Sequence, residues 1–121
     1  MRDGIAGLEI SERDGVVVAG LNGEIDGSNA AELRLALSER LPSSATALAL
    51  DLGGVTYLDS SGIQLLFELG RRLSARRQRM RLVVPEGAPT RRVLDLCAIE
   101  TVAPVDRDLE TTLRALAVPG R

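Results

Sequence analysis

Residues Ala47 to Gly70, ALALDLGGVTYLDSSGIQLLFELG, decide how the rest of the chain is read. Ala47 to Leu52 is an apolar run whose one polar member is Asp51, too short for a helix and closed by Gly53-Gly54, which predicts a buried parallel strand. A short loop then ends in Leu58-Asp59-Ser60-Ser61-Gly62. Beyond it Ile63, Leu66, Phe67, Gly70 and Leu73 recur at helical spacing, so a helix is expected to start at Ser60 or Ser61, both good capping residues. Two hydroxyls therefore sit where a helix begins. The first amides of a helix lack intrahelical acceptors and carry the positive end of its dipole. A serine there either caps the helix or carries a phosphate that the same amides partly neutralise, and both readings use identical residues.

The chain has 121 residues and a net charge of −2, a size that one domain spanning 1–121 fills with a real core. That balance points to neither nucleic acid nor a membrane surface as a partner. The charges are unevenly spread, with 4 Arg against 11 acids in residues 1–68 and 8 Arg against 1 acid in residues 69–92. Arg71, Arg72, Arg76 and Arg77 fall near the C-terminal end of the central helix, where cations complement the dipole. The sequence has no His, and all fifteen basic residues are Arg. Catalytic Ser-His-Asp and Cys-His arrangements, a P-loop lysine and a Schiff-base lysine are thereby excluded within this chain. Cys97 is single and lies in an apolar run, so it reads as core packing, and no metal site or cofactor is expected. Met1-Arg2-Asp3-Gly4 opens no apolar leader, and no segment approaches the length needed to span a bilayer; a cytoplasmic protein is expected.

Working outward, residues 5–12 and Val16 to Leu21 are expected to form a hairpin turning at Asp14-Gly15. Asn22 to Gly27 is expected to leave the sheet. Ser28 or Asn29 would cap a first helix through about Leu41, with Ala30, Leu33, Leu37 and Leu41 on one face. After the central helix the pattern predicts a strand from Met80 to Val84, a turn at Pro85-Glu86-Gly87, a helix over Thr90 to Leu96, a strand over Thr101 to Val105, and a last helix from Asp108 to about Val118. Strands alternating with helices imply an α/β fold: a mixed, mostly parallel sheet of four to five strands with about four helices.

Three segments in this order resemble one family. Gly23-Glu24-Ile25-Asp26, then Leu50-Asp51-Leu52 with Val55 and Leu58-Asp59-Ser60-Ser61-Gly62, then Arg91-Arg92-Val93-Leu94-Asp95-Leu96 resemble the signature elements of the STAS domain, most closely those of stand-alone bacterial anti-sigma factor antagonists. Ala98 departs from the pattern where the family usually has Gly. The resemblance implies a switch protein and not an enzyme. Unphosphorylated, such an antagonist binds an ATP-binding anti-sigma factor kinase and so frees a sigma factor. Phosphorylation at the position of Ser60 breaks the complex, and a phosphatase resets it. ATP and Mg would belong to the partner, and the chain would be a monomer or weak dimer.

The residues of interest follow from both lines of reading. Asp59 would cap the helix or orient Ser60, and the family match adds Asp26, Ser61 and Gly62 to the partner-binding surface. Apolar residues of the central helix span roughly a 200° arc where about 100° suffices to face a core. The edges of that arc are either exposed for a partner, with Leu65 and Phe67 as contacts, or buried between the sheet and a neighbouring helix. Two other classes remain open: an adaptor subunit of a stressosome or lipid-transport complex, in which Ser60 need not be phosphorylated, and a nucleotide or lipid binder. The second is poorly served by a chain with no phosphate-cradling motif and only Tyr57 and Phe67 as aromatics.

Overall fold

The computed structural model describes residues 7–118. Its centre is the strand β3 (Ala47–Leu58), flanked by β2 (Val16–Ile25) and β4 (Arg79–Val83), with β1 (Gly7–Arg13) and β5 (Val105–Asp106) at the edges. The sheet order is β1-β2-β3-β4-β5; β1 runs antiparallel to β2 and every other pair is parallel. The hairpin joining β1 to β2 turns on Asp14 and Gly15, both at positive φ as a two-residue turn of this hand requires. The expected α/β architecture is the one observed. Between the strands lie α1 (Ala30–Arg40), α2 (Ser60–Ala75), α3 (Arg91–Leu96) and, after β5, α4 (Leu109–Leu116).

Alternation along the strands sorts the side chains onto two faces. Val17, Ala19, Leu21, Leu48, Leu50, Leu52 and Leu82 face α1 and α2 and form the main core with Leu33, Leu37, Leu66, Leu69 and Leu73. Each fully buried Leu in such a layer contributes about 1.5–3 kcal/mol, so this face dominates stability. The opposite face is thinner: Val16, Val18, Ala47 and Ala49 pack under Leu109, Leu113 and Leu116 of α4. Much of the arginine-rich stretch has local structural work. Arg79 donates to the carbonyls of Ala115 and Val118 at the end of α4, Arg81 grips Asp106 with two hydrogen bonds of 2.8 and 3.0 Å, and Arg91 donates to the Val84 carbonyl.

Several boundaries differ from the sequence reading. Gly53-Gly54 does not end the strand. β3 continues to Leu58 and β2 to Ile25 because the register shifts twice, between Gly20 and Asn22 and between Gly23 and Glu24, each time absorbing an extra residue of β3. Asn22 to Ile25 therefore stays in the sheet. The strand expected over Thr101 to Val105 shrinks to Val105–Asp106: Ala98 sits in the left-handed region (φ 56, ψ 44), a 3-10 turn follows over Ile99–Thr101, and Pro104 has no N–H to give a ladder. The part of the first strand expected at residues 5 and 6 lies outside the described residues. The remaining helix ends fall within a few residues of expectation.

Candidate functional site

The site forms where the ends of β2 and β3 hand the chain to α1 and α2. The Asp59 amide donates to the Ile25 carbonyl at 3.2 Å, so the two exits are tied side by side. From there Asp59, extended at φ −100, caps α2: the amides of Ser61 and Gly62 donate to its Oδ1 at 2.8 and 3.2 Å, and Ile63 donates to its carbonyl at 3.0 Å. The helix starts at Ser60 as expected, and of the caps the sequence offered it is Asp59, not Ser60 or Ser61, that serves. All three residues cap well, but only Asp59 combines an extended backbone with a carboxylate reaching the second and third amides of the helix. Ser60 becomes the first helical residue, with its side chain exposed.

The facing loop is held as firmly. Asp26 Oδ1 accepts from the Ser28 amide at 2.9 Å and the Ser28 hydroxyl at 2.6 Å, and its carbonyl accepts from the amides of Asn29 and Ala30. The Ser28 hydroxyl, and then its amide, hold the Asp26 carboxyl below the ordinary range. Asn29 is buried, with Oδ1 accepting from the Asp26 amide and Nδ2 donating to the Glu24 carbonyl. Ser28 and Asn29 were read only as alternative caps for α1. Asn29 does stand at the N-cap of α1, its carbonyl accepting from the Leu33 amide, but its side chain makes no capping bond there; with Ser28 it locks the Asp26 loop, and the Asp-Gly-Ser-Asn sequence carries that signal as an Asx turn.

Gly62 explains why the helix can start so close to the sheet. A Cβ there would lie 2.4 Å from Leu58 Cδ1 and 3.1 Å from Ile25 Cγ2. Ser61 faces the Asp26 loop, since a Cβ on Gly27 would lie 3.4 Å from its Oγ. Between the starts of α1 and α2 runs a groove of about 270 Å³, lined by Gly27, Ala30, Ala31, Arg34, Ser61, Gln64, Leu65 and Glu68. Glu68 closes its far end, accepting from Gln64 at 3.1 Å and pairing with Arg34 at 3.7 Å. A larger concavity of about 1260 Å³ lies at the other end of the sheet, among the strand starts Val16 and Arg79, Thr46 just ahead of β3, and the end of α4. It contains none of Asp26, Asp59, Ser60, Ser61, Gly62, Leu65 and Phe67.

Asp26, Asp59, Ser60 and Ser61 therefore come together at one surface, whereas Gly62, expected there too, is buried beneath it against Leu58 and Ile25. The helix-edge residues do not join them in the expected way. Leu65 is only 2% exposed, because α1 packs against that side of α2, and its side chain can offer a partner no more than the floor of the groove. Phe67 is half-buried and packs against the core. Among the described residues no group of His, Cys, Asp and Glu is placed to hold a metal ion, and no helix is long and apolar enough to cross a membrane.

A model of the STAS domain family matches residues 7–112. The chain is 33% identical over 94 residues to the anti-sigma-F factor antagonist RsfB of Mycobacterium tuberculosis, an alignment covering 77% of this chain and 75% of RsfB. The crystal structure of an anti-sigma factor antagonist from Mycobacterium paratuberculosis shares the fold with a TM-score of 0.83 at 28% identity, over 93% of this chain and 95% of that one. The unphosphorylated form of the anti-sigma factor antagonist SpoIIAA shares it with a TM-score of 0.72 at 20% identity, over 94% and 100% of the two chains. With its mixed five-stranded sheet, its Asp59-capped helix and these relatives, the chain belongs to the STAS domain family.

Proposed function

We propose that this protein is an anti-sigma factor antagonist switched by phosphorylation of Ser60. In its unphosphorylated form it binds an ATP-binding anti-sigma factor kinase through the surface around Asp26, Asp59, Ser60 and Ser61, and the kinase's sigma factor is released. The kinase transfers the γ-phosphoryl group of ATP to Ser60 Oγ, leaving ADP, and the complex dissociates; a phosphatase hydrolyses the phosphoserine and restores binding. The observation that carries this reading is the exposed hydroxyl of Ser60 on a rigid mount: the first residue of α2, fixed by the Asp59 cap and by the tie from Asp59 to Ile25.

The same cap supports one account of how the switch works. The Ser61 and Gly62 amides already serve Asp59 Oδ1, so a phosphate on Ser60 does not inherit them. It adds about two negative charges beside a carboxylate, on the surface a partner must cover. A hundredfold loss of affinity needs only about 2.7 kcal/mol, within reach of desolvating that charge at an interface. Phosphorylation acts on the complex and leaves the fold in place.

The test is reconstitution with a purified anti-sigma kinase of the host, ATP and Mg. Phosphate incorporation at Ser60 mapped by mass spectrometry, none in Ser60→Ala, and a kinase complex kept by Ser60→Ala but weakened at least tenfold by Ser60→Asp are expected. Equal affinity of both variants for the kinase would refute the switch.

A further inference from the structure

The core-facing residues of β3 run Leu48, Leu50, Leu52, Val55 and Leu58, so their spacing changes from two to three. Each register shift puts two consecutive residues outside, Gly53-Gly54 and then Thr56-Tyr57, all exposed. With the first shift alone, the strand would carry Val55, Tyr57 and Asp59 inward. The second shift, at Thr56, restores the alternation set by Leu48, Leu50 and Leu52, so Tyr57 lies out and Leu58 in. Bulges concentrate beside functional sites, and this pair lies on the strand that leads directly to Asp59 and Ser60.

Tyr57 is left 51% exposed on a paired strand, and its hydroxyl has no partner among the described residues. The other aromatic, Phe67, packs against the core. The cross-strand neighbour of Tyr57 is Glu24, also exposed. Three residues of chain span at most about 11 Å, so Tyr57 and Ser60 fall within one patch of the roughly 800 Å² a protein partner covers. The charged residues on these exits, Glu24, Asp26 and Asp59, are all acidic.

We infer that Tyr57 is an anchor residue for the protein partner recognised at Ser60, and that this partner presents an apolar slot rimmed by basic side chains. This inference rests on the function proposed above. A half-exposed aromatic held by a strand loses little freedom on docking, and its ring and hydroxyl suit a slot with a polar mouth. The acids of Glu24, Asp26 and Asp59 select a basic rim and disfavour an acidic one.

Calorimetric titration tests it, using each purified ATP-binding anti-sigma kinase of the host, loaded with ADP, against the wild type, Tyr57→Ala, Tyr57→Phe and Leu96→Ala. Leu96, 73% exposed on α3, is the control for apolar exposure as such. Tyr57→Ala is expected to weaken binding at least tenfold, while Tyr57→Phe and Leu96→Ala stay within about threefold. A smaller loss in Tyr57→Ala, or an equal loss in Leu96→Ala, overturns the inference while leaving the switch at Ser60 standing. Should Tyr57→Ala not fold, Glu24→Arg carries the test, and unchanged affinity there overturns it. Absence of binding by the wild type to every kinase would overturn the proposed function itself.

Discussion

Replacing Asp59 by Ala removes the one oxygen that holds two amides at the start of α2. Loss of an N-cap side chain costs about 1 kcal/mol. Loss of a negative charge at a helix N-terminus adds about 0.3–1 kcal/mol in a partly exposed site. Together they predict a destabilisation of about 1.5–2 kcal/mol, or about 6–8 °C in thermal midpoint for a chain of this size. Asp59→Asn keeps an acceptor and loses only the charge, so it should cost about 0.5 kcal/mol and approach the wild type as salt screens the dipole term. Urea and thermal unfolding followed by circular dichroism at low and high salt read both numbers. Stability of Asp59→Ala equal to wild type would mean that Ser60 or Ser61 takes over the cap, and Asn as damaging as Ala would remove the hydrogen bond from the explanation. Phosphorylated Ser60 extends the test: in Asp59→Ala the phosphate gains free amides and should raise the midpoint, whereas in the wild type it should not.

Three further outcomes follow from local geometry. Gly62→Ala forces a methyl to within 2.4 Å of Leu58 Cδ1, against a wall shared with Ile25, and should cost about 1–3 kcal/mol in urea unfolding without removing Ser60 from the surface. Ala98→Gly relieves an exposed left-handed alanine and should raise stability by about 0.5–1 kcal/mol, read as a rise of a few degrees in midpoint; a fall would show that the left-handed turn after α3 carries no strain. The hydrogen bonds from Arg81 hold the Asp106 carboxyl below the ordinary value of 3.8; burial opposes them less strongly, and the Thr112 hydroxyl adds a smaller lowering of its own. Because its folded value is depressed, the pair stabilises fully above that ordinary value and is lost as pH falls through the lower folded one. The stability gap between wild type and Asp106→Asn should therefore hold from pH 7 to about 5 and close on further acidification; a gap independent of pH would assign it to packing of α4 instead.

The layers were legible because each rests on periodicity: Leu48, Leu50 and Leu52 alternate, and Leu66, Leu69 and Leu73 recur along one helical face. What escaped the sequence is where two local options were equally good. Asp59, Ser60 and Ser61 all cap helices, and only the extended backbone at Asp59, set by its amide's bond to Ile25, chooses among them. Leu65 lies on an apolar arc wider than one core needs, and its burial depends on α1, an element nearly thirty residues earlier in the chain. Gly53-Gly54 reads as a stop, yet pairing with β2 carries the strand past it through two register shifts. A periodic pattern presumes constant register, so a bulge reverses its prediction for every residue beyond. Here the two bulges cancel beyond Thr56, so Val55 changes face while Tyr57 and Leu58 keep the faces that alternation from Leu48, Leu50 and Leu52 assigns them. From composition Tyr57 offered only a poor stacking platform; its 51% exposure on the strand that leads to Asp59 and Ser60 is what the proposed anchoring role rests on.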